Sequence, residues 1–87
     1  KELVALFMEQ AQEMINILET SLRLSDNAAW KSAAHRYKGA SGNLGAMKVH
    51  HLCKRAEAGF EDPEHLKAEI LSAIKAETGR IGSFFAA

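Results

Sequence analysis

Apolar residues return along this chain every three or four positions, and the alternation expected of a half-buried strand is absent. Between Glu2 and Leu24 one stripe reads Leu3, Leu6, Phe7, Met14, Ile17, Leu18 and Leu22. Trp30, Ala33, Tyr37, Ala40 and Leu44 make a second stripe; Val49, Leu52, Cys53 and Ala56 make a third. The fourth runs through Leu66, Ile70, Ala73, Ile74, Ile81, Phe84 and Phe85. Ser25, Asp26 and Asn27 supply turn and N-cap chemistry between the first two helices. Gly45 terminates the second, and Gly59 closes a third that starts at about Ala46. Asp62-Pro63-Glu64 reads as N-cap, first helical residue and first-turn acid of the fourth. Gly79 and Gly82 weaken the final turns of that helix. Helices of this length with short connections predict an all-α fold, an antiparallel up-down four-helix bundle.

At 87 residues the chain is one domain, residues 1–87. It opens on Lys1 and closes on Ala86-Ala87, which reads as a domain cut from a longer multidomain protein, with a trimmed standalone protein as the alternative. Its 47% apolar content supports a packed core. One cysteine allows no internal disulfide and makes a reducing cytoplasm the expected location. No apolar run reaches the roughly 18 residues of a membrane span, so no membrane insertion by this domain is expected; a signal peptide is not visible either.

Charge changes the picture through its distribution. Eleven bases balance eleven acids, yet residues 27–56 hold Lys31, Arg36, Lys38, Lys48, Lys54 and Arg55 with no acid among them. A neutral total argues against general nucleic-acid binding. The basic middle is either a set of solvated helix faces or a local positive field suited to an anionic partner.

His35 sits in that middle. At about 100° per residue, Trp30, Ala33, Tyr37, Ala40 and Leu44 lie within roughly 40° of the side opposite His35. Lys31, Lys38, Gly39 and Gly42 lie within roughly 60° of His35 itself. The histidine therefore points to water in mid-helix, with a lysine one turn further on. Two helical glycines cost about 1 kcal/mol each relative to alanine. Their absent side chains flatten the surface so that another protein can reach the imidazole; the alternative is a helix that stops at Gly39. Neutral imidazole is a competent nucleophile near neutrality, and a flexible lysine suits phosphoryl oxygens.

Glu57 shares a face of the third helix with His50 and Cys53. In an antiparallel neighbour it returns to the level of His35, where it is either a solvated surface acid or a carboxylate that orients the ring. His50, His51 and Cys53 hint at metal ligation, but a structural zinc site needs four ligands and no such set is evident. The spacing of Gly39, Gly42 and Gly45 fits neither a dinucleotide fingerprint nor a Walker loop. Cys53 lies on the apolar stripe and is expected in the core.

The run His35-Arg-Tyr-Lys38-Gly39-Ala-Ser41-Gly42-Asn-Leu44-Gly45-Ala46 resembles the signature of histidine-containing phosphotransfer (HPt) domains. The resemblance is close from His35 to Glu57 and extends to the whole chain in helix number and length. It implies a phosphorelay carrier, phosphorylated on the outward nitrogen of His35, with Lys38 stabilising the phosphoryl group. Glu57 orients the imidazole in that reading, while Lys31, Gly39 and Gly42 belong to the face on which receivers dock. Leu6, Phe7 and Ala28 are further candidates for that face. The implied partners are response-regulator receiver domains, which bring the magnesium ion, and a sensor histidine kinase; the chain itself needs no cofactor. It is a phosphocarrier without kinase activity, since nothing in it binds ATP. A glutamate at position 57 is similar to that of chemotaxis kinases, so a substrate domain phosphorylated by a separate ATP-binding domain is the alternative. A noncatalytic helical adaptor is a third reading, and the presence of both His35 and Lys38 speaks against it.

Overall fold

Each turn is built by backbone wiring that the local residues permit. In the computed structural model, which describes residues 2–86, the elements are α1 (Glu2–Leu24), α2 (Asn27–Leu44), α3 (Met47–Ala58) and α4 (Glu64–Ala86). α2 ends in a Schellman turn: Gly45 N–H donates to Gly42 O at 3.1 Å and Ala46 N–H to Ser41 O at 2.8 Å. Gly45 takes the left-handed φ of 85° that this turn requires. The turn after α1 has the same wiring, Ser25 N–H to Leu22 O and Asp26 N–H to Ser21 O, but Ser25 occupies the left-handed position with φ 55°. Asp26 then caps α2, its Oδ1 accepting from Ala29 N–H at 3.0 Å.

The start of α4 differs from the expected capping pattern. Pro63 occupies the N-cap position: its carbonyl accepts from the N–H groups of Leu66 and Lys67 at 3.1 and 3.2 Å. Asp62 instead folds back over the preceding turn, with Asp62 N–H donating to Gly59 O at 2.9 Å. A Cβ on Gly59 would run into the Asp62 carboxylate, so a side chain there would displace Asp62 from its place over the turn.

The helices form a four-membered antiparallel ring in which α2 touches α1 and α3, and α4 closes the ring against both. The rod measures 37 × 19 × 18 Å. Trp30, Tyr37, Leu18, Ile74, Val49 and Cys53 fill its axis. Ala11, Ala33, Ala34 and Ala56 let the helices approach closely.

Two stripes are phased differently from expectation. In α1 the inward line is Phe7, Ala11, Met14, Ile15 and Leu18, and Leu3 and Leu6 are exposed. Leu6 lies roughly 120° round the helix from that line, and Leu3 belongs to the first turn at the end of the rod. In α4 the inward line is Lys67, Leu71, Ile74 and Thr78, rotated by roughly 70° from the apolar stripe. Its two polar members are satisfied by α2. Lys67 Nζ donates to Asn27 Oδ1 at 2.7 Å and lies 5.2 Å from the Trp30 ring, while Tyr37 Oη and Thr78 Oγ1 are hydrogen-bonded at 2.5 Å. Leu66, Phe84 and Phe85 stay exposed, the two phenylalanines edge to face at 5.0 Å. Gly82 lets Met8 sit against the helix, which continues through both late glycines.

Candidate functional site

α2 buries Trp30, Ala33 and Tyr37, and so turns His35 outward with 66% of its side chain exposed. The antiparallel α3 brings Glu57 to the same level. Their register is pinned beneath the surface, where Trp30 Nε1–H donates to Ala56 O at 2.9 Å, one residue from Glu57.

The carboxylate of Glu57 joins two partners. Oε2 lies 2.9 Å from His35 Nδ1 and Oε1 lies 2.6 Å from Lys38 Nζ. The Lys38 hydrogen bond holds the Glu57 carboxyl below its usual pKa, the His35 bond adds to this, and partial desolvation opposes it. An ionised carboxylate only accepts, so the ring proton is assigned to Nδ1. Nε2 is left as the nitrogen with a free lone pair, on an exposed ring. Of the two roles open to Glu57 on spacing alone, the geometry matches contact with the ring. Lys38 is engaged as well: its side chain is only 27% exposed and leans on Glu57.

The other expected residues fall into different settings. A Cβ on Gly39 would meet nothing within 4 Å, so the surface there is open. A Cβ on Gly42 would stand 3.1 Å from His50 Nδ1, which gives Gly42 a packing reason to lack a side chain. Lys31 is exposed and places its Nζ 4.4 Å from the centre of the Phe60 ring in the α3–α4 connection. Ala28 is exposed. Phe7 is 4% exposed and packs at 5.9 Å from Tyr37, so it supports the surface from below and offers no contact area of its own. Leu3 and Leu6 border a shallow groove of about 160 Å³ against Ala40, Asn43 and Leu44 of α2.

Sequence reasoning passed over the work of His50. Its Nδ1–H donates to the Lys38 carbonyl at 2.9 Å, tying α3 to the turn that carries Lys38. Helical phase puts Gly42 beside His35 on the outward face, so the sequence carried no signal for His50, and only the structure shows its ring lying against Gly42. Among the described residues no three His, Cys, Asp or Glu side chains gather as a metal site. Burial pushes the Cys53 thiol up to about 12, which makes it a poor nucleophile.

The Hpt domain family matches residues 2–83. Histidine-containing phosphotransfer protein 5 of Arabidopsis thaliana is 36% identical over 55 residues, which cover 60% of this chain and 35% of that protein. The chain thus spans about a third of the length of that relative. The crystal structure of histidine-containing phosphotransfer protein B from Pseudomonas aeruginosa superposes with a TM-score of 0.89 over 97% of this chain and 74% of that one, at 24% identity. That likeness shows the shared fold. No described helix is long and apolar enough to cross a membrane. The family match, spanning nearly the whole chain and including the outward histidine, makes this protein a member of the Hpt domain family, the helical bundles that carry phosphoryl groups on histidine in phosphorelays.

Proposed function

We propose that His35 Nε2 takes a phosphoryl group from the phosphoaspartate of one response-regulator receiver domain and passes it to another. The observation that carries the reading is the 2.9 Å contact of Glu57 with His35 Nδ1 on a ring that stays exposed. In the step, the Nε2 lone pair attacks phosphorus and an N–P bond forms. The acyl P–O bond breaks, and its electron pair leaves with the aspartate carboxylate. No proton need depart, because Nε2 carries none; the ring becomes a phosphoimidazolium whose Nδ1–H stays on Glu57. That carboxylate stabilises the positive ring, and Lys38 lies one helical turn away to meet the phosphoryl oxygens. The reverse step returns the group to an aspartate. Since Lys38 and Glu57 neutralise each other, the remaining charge stabilisation comes from the receiver, whose acidic pocket and magnesium ion belong to its own chain.

Gly39 keeps the approach to the ring clear, and the exposed Leu3–Leu6 edge with Ala28 and Lys31 extends the docking face. A reducing cytoplasm is the location proposed here, in keeping with a single unpaired cysteine. Glutamate at position 57 favours a second reading, a substrate domain phosphorylated by the ATP-loaded core of a chemotaxis-type kinase.

The test is incubation with phosphorylated receiver domains and, separately, with an ATP-loaded kinase core, followed by mapping of acid-labile phosphate. His35→Gln is expected to abolish acceptance completely while leaving helical content and melting unchanged. Phosphate found on another residue would overturn the assignment. Acceptance from the kinase core alone would select the second reading.

A further inference from the structure

The side of the bundle turned away from Glu57 carries a second surface. Lys48, His51 and Arg55 lie roughly 120–180° round α3 from Glu57, and they face Ala73, Ala76 and Glu77 of α4 across a groove of about 540 Å³. Leu52 is half-buried on its floor. Glu77 lies 3.9 Å from Arg80, and among the described residues no carboxylate comes within ion-pairing distance of Lys48 or Arg55.

We propose that the α3–α4 groove is a second docking surface, shaped for an acidic amphipathic helix of a partner protein. Two antiparallel helices leave a trough that a third helix fills when small residues allow close approach, and Ala73 and Ala76 are such residues. Apolar side chains of the occupant meet Leu52 and the alanines. The two cations, Lys48 and Arg55, stand on one edge two helical turns apart with His51 between them, so they match carboxylates spaced along one flank of a helix. A basic helix is repelled there, which sets the sign of the partner. The location leaves His35 uncovered, so the occupant can stay bound while the histidine face changes partners. The inference rests on groove shape and charge alone and stands apart from the phosphotransfer reading.

The probe is a stapled helical peptide of about four turns, with leucine at i, i+4 and i+7 and glutamate along one flank. It is titrated into the 87-residue chain and followed by backbone amide NMR shifts. The expected shifts fall on Leu52, Arg55, Ala73 and Ala76 and spare His35 and Gly39. Lys48→Glu with Arg55→Glu should weaken binding at least about tenfold. Ala76→Leu, which fills the exposed trough, should do the same, with unchanged melting showing that both variants are folded. Equal binding of a peptide carrying lysine for glutamate overturns the proposal, as do shifts centred on His35 or no binding at millimolar peptide. Heparin or anionic phospholipid vesicles binding as tightly as the peptide, and equally to Ala76→Leu, would reduce the groove to a charge patch. Concentration-dependent self-association lost in the same variants would assign it to a second copy of this chain. Either result overturns the proposal.

Discussion

Two ion pairs of equal length stand on opposite seams of the bundle. Lys38 and Glu57 meet at 2.6 Å between α2 and α3; Lys75 and Glu19 meet at 2.6 Å between α4 and α1. The second pair is half exposed and touches nothing reactive, whereas the first is about half as exposed and continues into a histidine. Contact length therefore says little about purpose. What separates them is the surrounding framework: the α2–α3 seam is also tied by Trp30 to Ala56 and by His50 to Lys38. A side chain whose backbone is fixed from several directions can hold a reactive group in one orientation.

Breaking each pair should expose that difference, starting with the lysines. Lys38→Ala is expected to slow transfer from a phosphorylated receiver by about a hundredfold, mainly in kcat, with a smaller change in KM. Lys75→Ala should leave transfer unchanged and alter stability by less than about 1 kcal/mol in urea unfolding. Equal losses in kcat and KM for Lys38→Ala would contradict the proposed contact with the phosphoryl group.

Glu57→Gln comes next, with transfer slowed about 10–100-fold, because an amide offers the ring either an oxygen or an NH2 group and no longer fixes the tautomer. The same variant sharpens the pH comparison. The folded-state pKa of Glu57 lies below its unfolded value, so its contribution is fully present above about pH 4.5. That contribution is lost as the pH falls through the folded pKa. Acid unfolding of Glu57→Gln should therefore be less steep than that of the parent in this range.

The two glycines near the site offer a smaller test. Gly39→Ala should stabilise the domain by up to about 1 kcal/mol, since its Cβ meets open space, while weakening receiver docking. Gly42→Ala should gain less or lose, because the methyl group presses on His50. Thermal melts of the pair read the difference directly. Smallest of all, Ser25→Gly should stabilise by about 1 kcal/mol or less, by relieving a left-handed serine in a turn that Gly45 serves elsewhere without strain.

α2 was the most legible element. Its large apolar residues, Trp30 and Tyr37, point one way and leave His35 no direction but outward. α4 was misphased because Lys67 and Thr78 occupy inward positions, where partners on α2 satisfy them. Polar residues buried by a long-range hydrogen bond look like surface residues to any periodicity argument. The exposed Leu3 and Phe84 misled in the opposite sense, because apolar character does not guarantee burial near the ends of a rod, and Leu6 did so because it stands off the inward line of α1. At the site, spacing brought Glu57 to the right level but could not choose between a solvated and a bonded carboxylate. Nor could it foresee that Lys38 leans on that carboxylate, because a contact across two helices depends on their register.

The lone tryptophan has a practical consequence. Trp30 is fully enclosed, and its indole N–H is bonded to the carbonyl immediately before Glu57. The domain thus carries an intrinsic fluorophore at the joint behind its reactive ring. Its emission can follow the closing or loosening of that joint without any label being attached.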